Sequence, residues 1–200
     1  MELDGIIKFI EFLNQFQGVE RALSLKGRKH KENDVEHSYQ LAMVAWYAAS
    51  TNKLNLDIDK VIKYALLHDL VEVYAGDIDA HDPDPQRDEK KAKKEHEALM
   101  QIKSEFTEFP EMTKIIEQYE TRQDEESKFV YALDKVVAPI NIYLDGGRYW
   151  HERGVTFTLE KLLTNKILKV AQHPEVEKYF DQLIAILEKE PHLFPADEKI

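Results

Sequence analysis

Hydrophobic positions recur at helical spacing along nearly the whole chain, and the windows that alternate like a strand are short and isolated. Ile6, Ile7, Ile10, Leu13 and Phe16 form the apolar face of a first helix. The polar, basic stretch Lys26-Gly27-Arg28-Lys29-His30-Lys31 reads as a loop. Asp34 is placed to cap a second helix that runs through His37 to about Ser50. Asp57 or Asp59 can cap a third, VIKYALLHDLVEVYA, which Gly76 ends. DIDAHDPDPQRD is proline- and aspartate-rich and predicts a loop. In the charged stretch EKKAKKEHEALMQIKSEF only Ala98, Leu99, Ile102 and Phe106 supply a sparse apolar face, which predicts a surface helix. Pro110 suits the first turn of another helix. SKFVYALDKVVAPINIYL is apolar enough for a central helix, with a kink near Pro139. Amphipathic helices follow around Leu159 to Ala171 and Val176 to Glu188, and Pro191 with the charged tail ends the order. The pattern predicts an all-α fold, a bundle of six or more helices, and one domain over residues 1–200.

Several polar residues interrupt these apolar faces. His37 shares a helix face with Leu41, Val44 and Ala48. Val61, Ala65 and His68 form one row, and Ile62, Leu66 and Asp69 the adjacent one. Asp134 lies inside the stripe of Val130, Leu133, Val137 and Ile140. One core histidine is ordinarily a hydrogen-bonded structural residue. A buried aspartate, however, needs a cation, a set of donors or a proton. Two aspartates and two histidines on the core faces of three helices suggest a shared cation. His68 and Asp69 differ by about 100° around a helix axis and can reach one ion together. His81, His96, His151, His173 and His192 lie in loops, charged helices or helix ends and read as solvent-exposed.

Composition narrows the chemistry. There is no cysteine, which leaves imidazole, carboxylate, carbonyl and water as metal ligands. A formal net charge of -11 argues against a nucleic acid polymer as partner, though not against a small anion. No apolar run approaches the roughly 18 residues of a membrane span, and the N-terminus lacks signal-peptide character. The expectation is a cytoplasmic protein with no membrane partner.

At these residues the chain resembles the HD-domain superfamily of metal-dependent phosphohydrolases. The superfamily pattern is a histidine, an adjacent His-Asp pair and a distant aspartate on different helices. It is matched by His37 in ENDVEHSYQLA, His68-Asp69 in LLHDLVEVYAGDI and Asp134 in ALDKV. The extended contexts are similar to the bacterial 5'-deoxynucleotidases and their relatives, over a motif-bearing core from about Arg21 to Leu144. The C-terminal helices, about 156–190, carry no motif.

The resemblance implies one divalent transition metal ion on His37, His68, Asp69 and Asp134. Mn, Fe, Co or Ni suits this donor set, and Zn is compatible. It also implies that Glu72 and Asp77 act beside the metal, one on the attacking water and one on the leaving oxygen. Asp77 is preferred for the water and Glu72 for the acid. Arg28 and Lys31, just before the His37 helix, are candidates for binding substrate phosphate. Asn141, Arg148 and Trp150 are candidates for the substrate pocket. The implied activity is hydrolysis of a nucleoside 5'-monophosphate. A phosphodiesterase, a pyrophosphohydrolase or a nucleotide-sensing module without turnover are the alternatives. Family members of the deoxynucleotidase type carry an Arg-Trp pair ahead of the first metal histidine. Here it is Arg21-Ala22, so deoxyribose selectivity is not carried over. By family analogy the chain is a homodimer, with Phe157, Leu162 and Leu163 available for an interface.

Overall fold

The computed structural model describes residues 2–77, 85–154 and 157–195. These residues fold as an all-α bundle, and the pairing between Glu20 and Asn33 is a single isolated bridge. Helix α1 (Leu3–Gln17) forms where expected but turns a different face inward. Phe12 and Phe16 are buried, while Ile6, Ile7 and Ile10 are 43–51% exposed. The aromatic row wins because it buries more area. Phe12 packs at 4.9 Å from the ring of Phe106, and Phe9 at 5.6 Å.

Helix α2 (Asp34–Thr51) begins one residue earlier than the Asp34 cap would place it. Asn33 is the N-cap and shares a capping box with Glu36: the Asn33 Oδ1 accepts from the Glu36 N–H, and the Glu36 carboxylate accepts from the Asn33 N–H. This cap sets the phase of the helix, and so points His37 inward.

The expected third helix is broken at the His-Asp pair. α3 (Ile58–Leu67) is capped by Asp57, and α4 (Glu72–Ala75) ends at Gly76, whose φ is +73°. Between them the backbone tightens to i→i+3 bonds, including Glu72 N–H to the Asp69 carbonyl at 2.8 Å. Periodicity cannot register such a break, because every residue across it retains good helical spacing.

Helix α5 (Arg87–Glu105) buries Ala98, Leu99 and Ile102. α6 (Pro110–Thr121) starts at its proline, and α7 (Glu125–Leu144) runs through Pro139 as the central helix. A short α8 (Arg148–Glu152) was not legible beforehand; it delivers the fully buried Trp150. α9 (Leu159–Val170) and α10 (Pro174–Leu187) follow. A 3-10 turn, Pro191–Leu193, then continues the order past Pro191, because Leu193 and Phe194 are buried against the core.

Two groups of buried side chains result. One joins α2, α3, α7, α9 and α10, and the other joins α1, α5, α6 and the turn at Leu70-Val71. The chain passes from the first to the second at residues 68–71. The His-Asp pair therefore sits where the two groups meet.

Two further expectations need correction. His173 is 8% exposed, at the start of α10, with its ring 4.9 Å from that of Phe129. Phe157 and Leu162 are core residues, and Leu163 packs against that core, so none of them forms an open apolar face. Exposed large apolar side chains occur on several helices, among them Tyr39, Met43, Trp46 and Tyr47 on α2 and Leu168 on α9. Most of the proline-rich loop, with His81, lies outside the described residues. No helix of the described residues is long and apolar enough to cross a membrane.

Candidate metal centre

His37, one turn into α2, reaches across to α7, where its Nε2 lies 2.9 Å from Asp134 Oδ1. His68 follows the last residue of α3. Its ring centroid is 5.3 Å from that of His37. His68 Nε2 is 2.9 Å from Asp69 Oδ2. The ligand atoms of His37, His68 and Asp69 all lie within 4.8 Å of one another. The four residues singled out on separate helices are thus brought together.

Their protonation states suit a cation. His68 Nδ1 faces the Ala65 carbonyl at 2.9 Å, and a carbonyl only accepts, so Nδ1 carries the proton. The lone pair on Nε2 is then directed at Asp69 and has no hydrogen-bond partner among the described residues. Burial works against ionisation of Asp69, but the protonated form of His68, together with Arg21, outweighs it and holds the carboxyl well below its ordinary range; an ion on Nε2 would take the place of that proton. Asp134 is likewise held low against burial, by Lys135 and by His37. Lys135 Nζ is 2.5 Å from Asp134 Oδ2. Both imidazoles gather with the Asp69 carboxylate, Asp134 adjoins them through His37, and an orphaned buried nitrogen lies among the four. This donor set fits a divalent transition metal ion.

A buried polar network surrounds the centre. The loop after α1 is pinned by backbone hydrogen bonds from Arg21 N–H to the Glu32 carbonyl at 2.8 Å and from Glu32 N–H to the Leu23 carbonyl at 2.9 Å. Arg21 Nη1 reaches Asp69 Oδ2 at 2.8 Å and Asp34 Oδ1 at 3.3 Å, and its Nε lies 3.4 Å from Glu32. Glu32 is also 3.8 Å from His37 Nδ1. Burial pushes both Glu32 and Asp34 up to about 7. Helical periodicity could not single out Arg21 or Glu32, because both fall in an irregular segment with no face to read; the resemblance touched Arg21 alone, as the first half of the Arg-Trp pair.

Glu72 opens α4 and is 2% exposed. One oxygen accepts from Lys91 at 3.2 Å, and the other has no hydrogen-bond partner among the described residues. Burial, with Asp69 beside it, raises its carboxyl to about 10. Asp34, Asp69 and Glu72 form a second close group of acids next to the first.

The centre opens into a cavity of about 160 Å³. Its lining includes Asp69, Glu72, Asp77 and Asp134, with Arg21, Lys91, Lys135 and Lys166 supplying positive charge. Apolar lining residues include Pro139, Ile142 and Trp150. A second cavity of about 390 Å³ shares Asp69, Asp134 and Lys135, and adds Arg87, Arg122 and Lys169. Arg28 and Lys31 line neither cavity. Arg28 instead donates to Glu36, and both basic residues are solvent-exposed. Asn141 is buried against Gln40, and Arg148 pairs with Asp145 at 2.6 Å, so Trp150 alone of those three reaches the cavity.

With this geometry in hand, residues 13–177 match the HD domain family. The chain is 34% identical to the Mus musculus 5'-deoxynucleotidase HDDC2 over 134 residues, 66% of this chain and 65% of that protein. It thus spans slightly less than two thirds of that relative's length. The Danio rerio protein of the same name is 25% identical over 177 residues, covering 87% of this chain and 84% of its own. Among solved structures, a "predicted metal-dependent phosphohydrolase" from Magnetospirillum magnetotacticum superposes with a TM-score of 0.81. That match covers 96% of this chain and 98% of the other at 22% identity. An HD-domain phosphohydrolase from Listeria innocua gives 0.68 at 17% identity, covering 94% and 92%.

Proposed function

The chain belongs to the HD-domain family, and from that premise we propose that it is a metal-dependent phosphohydrolase that cleaves nucleoside 5'-monophosphates to nucleoside and phosphate. The observation that carries this reading is the gathering of His37, His68, Asp69 and Asp134 beside a cavity whose lining includes both cationic and apolar side chains. The cationic side chains suit a phosphate and the apolar ones a nucleoside. The names of the HDDC2 relatives support the same substrate class.

His37, His68, Asp69 and Asp134 would hold a divalent ion, which would supply Lewis acidity and make a water easier to deprotonate. Mn, Fe, Co or Ni fits the donor set. Asp77 lines the cavity and accepts a proton from the attacking water. Glu72 is held protonated by burial and donates to the leaving oxygen. Arg21 and Lys135 offset the charge on the phosphoryl oxygens, the task first assigned to Arg28 and Lys31. Arg21 stands here without a following tryptophan, so both ribo- and deoxyribonucleotides are substrates in this reading.

The second cavity, with Arg87, Arg122 and Lys169, favours a different reading, in which a diester or phosphoanhydride spans the centre. One panel separates the two. Phosphate release is measured with Mn or Co on ribo- and deoxyribonucleoside monophosphates, a diester and a triphosphate. Asp69→Ala and Glu72→Ala serve as controls. A metal-loaded protein that turns over none of these would end the enzymatic reading.

A further inference from the structure

Helix α9 lies outside the motif-bearing helices, yet it contributes to the cavity. Its inward face begins with the buried Leu162, and three and four residues later come Asn165 and Lys166. All three line the cavity. The face thus changes from apolar to polar where it approaches the metal centre.

Four cationic side chains line this cavity, and three of them are matched. Arg21 pairs with Asp69 and Asp34, Lys91 with Glu95 at 3.3 Å, and Lys135 with Asp134. Lys166 has neither a hydrogen bond nor an ion pair among the described residues. A partly buried ammonium without a counter-charge is costly, and an apolar side chain of similar length would fill the same space without that cost. Burial, with Lys135 adding its own positive charge, pushes the Lys166 pKa down to about 7. An anion arriving in the cavity would reverse that shift.

We propose that Lys166 binds the phosphoryl group of the substrate, making α9 the source of an anion-recognition residue for the centre built by α2, α3 and α7. This rests on the phosphohydrolase reading for the identity of the ligand, and on the unmatched cation for its location. Lys166 is a binding residue and takes no part in proton transfer here.

The test uses the full chain loaded with Mn. Lys166→Met, Lys166→Gln and Lys166→Arg are compared with wild type and with Lys161→Met, an exposed control on the same helix. Three quantities are read: affinity for inorganic phosphate by calorimetry, KM and kcat for a nucleoside monophosphate, and melting temperature. The Met and Gln variants are expected to keep their metal, to melt at or above the wild-type temperature, and to lose about tenfold or more in phosphate affinity and in KM. Lys166→Arg recovers part of that loss, and Lys161→Met is unchanged. Folded Met or Gln variants with wild-type phosphate affinity and KM would overturn the proposal while leaving the hydrolase reading intact. Conversely, Lys166-dependent phosphate binding by a protein that hydrolyses nothing would support the proposal and remove the hydrolase reading.

Discussion

The Nδ1–H of His68 donates to the backbone carbonyl of Ala65 at 2.9 Å, one turn back on α3, and so commits Nε2 to act as a lone-pair donor. A histidine that only filled the core would have no reason to leave its other nitrogen without a partner beside two ionised aspartates. Burial disfavours a charged His68, but Asp69 outweighs it and raises the His68 pKa, so a proton competes with the ion for Nε2. Metal affinity is therefore expected to rise with pH and to be accompanied by proton release. Titration calorimetry with Mn or Co in buffers of different ionisation enthalpy reads both effects. Chelation is expected to lower the melting temperature, and Asp69→Ala or Asp134→Ala to abolish the metal-dependent part of it. A melting temperature indifferent to both metal and chelator would contradict the assignment of the centre.

Glu72 offers a case in which function and stability pull apart. Its folded pKa, about 10, lies far above the unfolded value of about 4.3. A raised carboxyl pKa means that the unfolded chain gives up its proton first as pH rises. The contribution of Glu72 to folding is thus present below about pH 4 and declines as pH climbs toward the folded value. Glu72→Gln keeps the shape and the acceptor for Lys91 but cannot ionise. In the metal-free protein it is expected to raise the melting temperature, by more at pH 8 than at pH 5. In the metal-loaded protein it is expected to lower kcat by about 10²–10⁴-fold, with KM little changed. A variant with wild-type kcat would remove Glu72 from proton transfer.

How legible the site was depended on whether a residue lay on a periodic face. His37 and Asp134 sit at core positions of regular helices, and His68 and Asp69 continue the periodic pattern of α3 just past its end, so each polar side chain stands out against its neighbours. Arg21 and Glu32 lie in an irregular loop, and only backbone pairing with each other and with Leu23 brings them to the centre. Lys135 was hidden by adjacency, since the residue after a core aspartate should point about 100° away from it. Its long side chain folds back to Asp134 instead. Arg28 and Lys31 were attractive from their place before the His37 helix, but proximity along the chain did not predict which side of the loop faces the cavity. The rotation of α1 has a similar cause. Both of its candidate faces are apolar, and only the partners Phe106 and Tyr74, distant in sequence, select the Phe12 and Phe16 side.

Asp124 supplies a pH dependence well away from the metal centre. As the N-cap of α7 it accepts from the Ser127 N–H at 2.7 Å, from Tyr64 at 2.8 Å and from Lys60 at 2.8 Å. Burial alone would raise its pKa, but these donors bring it down to about 2, below the unfolded value of about 3.9. A depressed carboxyl pKa contributes stability that is present above the unfolded value and is lost as pH falls through the folded one. Asp124→Ala is expected to cost about 1–2 kcal/mol at pH 7. The difference from wild type should shrink between pH 4 and pH 2. Asp124→Asn, which can still cap the helix, is expected to cost less at pH 7. Urea melts of the three proteins across that range test the sign; a difference that widens in acid would refute it.

Gly147 ties the C-terminal turn to the cavity wall. Its φ is +76°, and a Cβ there would lie 2.2 Å from the carbonyl oxygen of Leu193 and 2.9 Å from the Leu193 carbonyl carbon. Both neighbours are backbone, so no side-chain rotation relieves the clash. Gly146 has a similar φ of +72° but open space around it. Gly146→Ala is therefore expected to cost only the left-handed strain, about 1–2 kcal/mol. Gly147→Ala adds displacement of the 3-10 turn, for about 3 kcal/mol or more in total. The displaced turn carries Phe194, whose ring stacks on Trp150 at 4.5 Å. Trp150 also lines the cavity, so the damage should reach substrate binding. At a temperature where both variants remain folded, Gly147→Ala is expected to raise KM while Gly146→Ala leaves it unchanged. Equal melting temperatures and equal KM values for the two variants would show that contact with Leu193 has no influence on the wall.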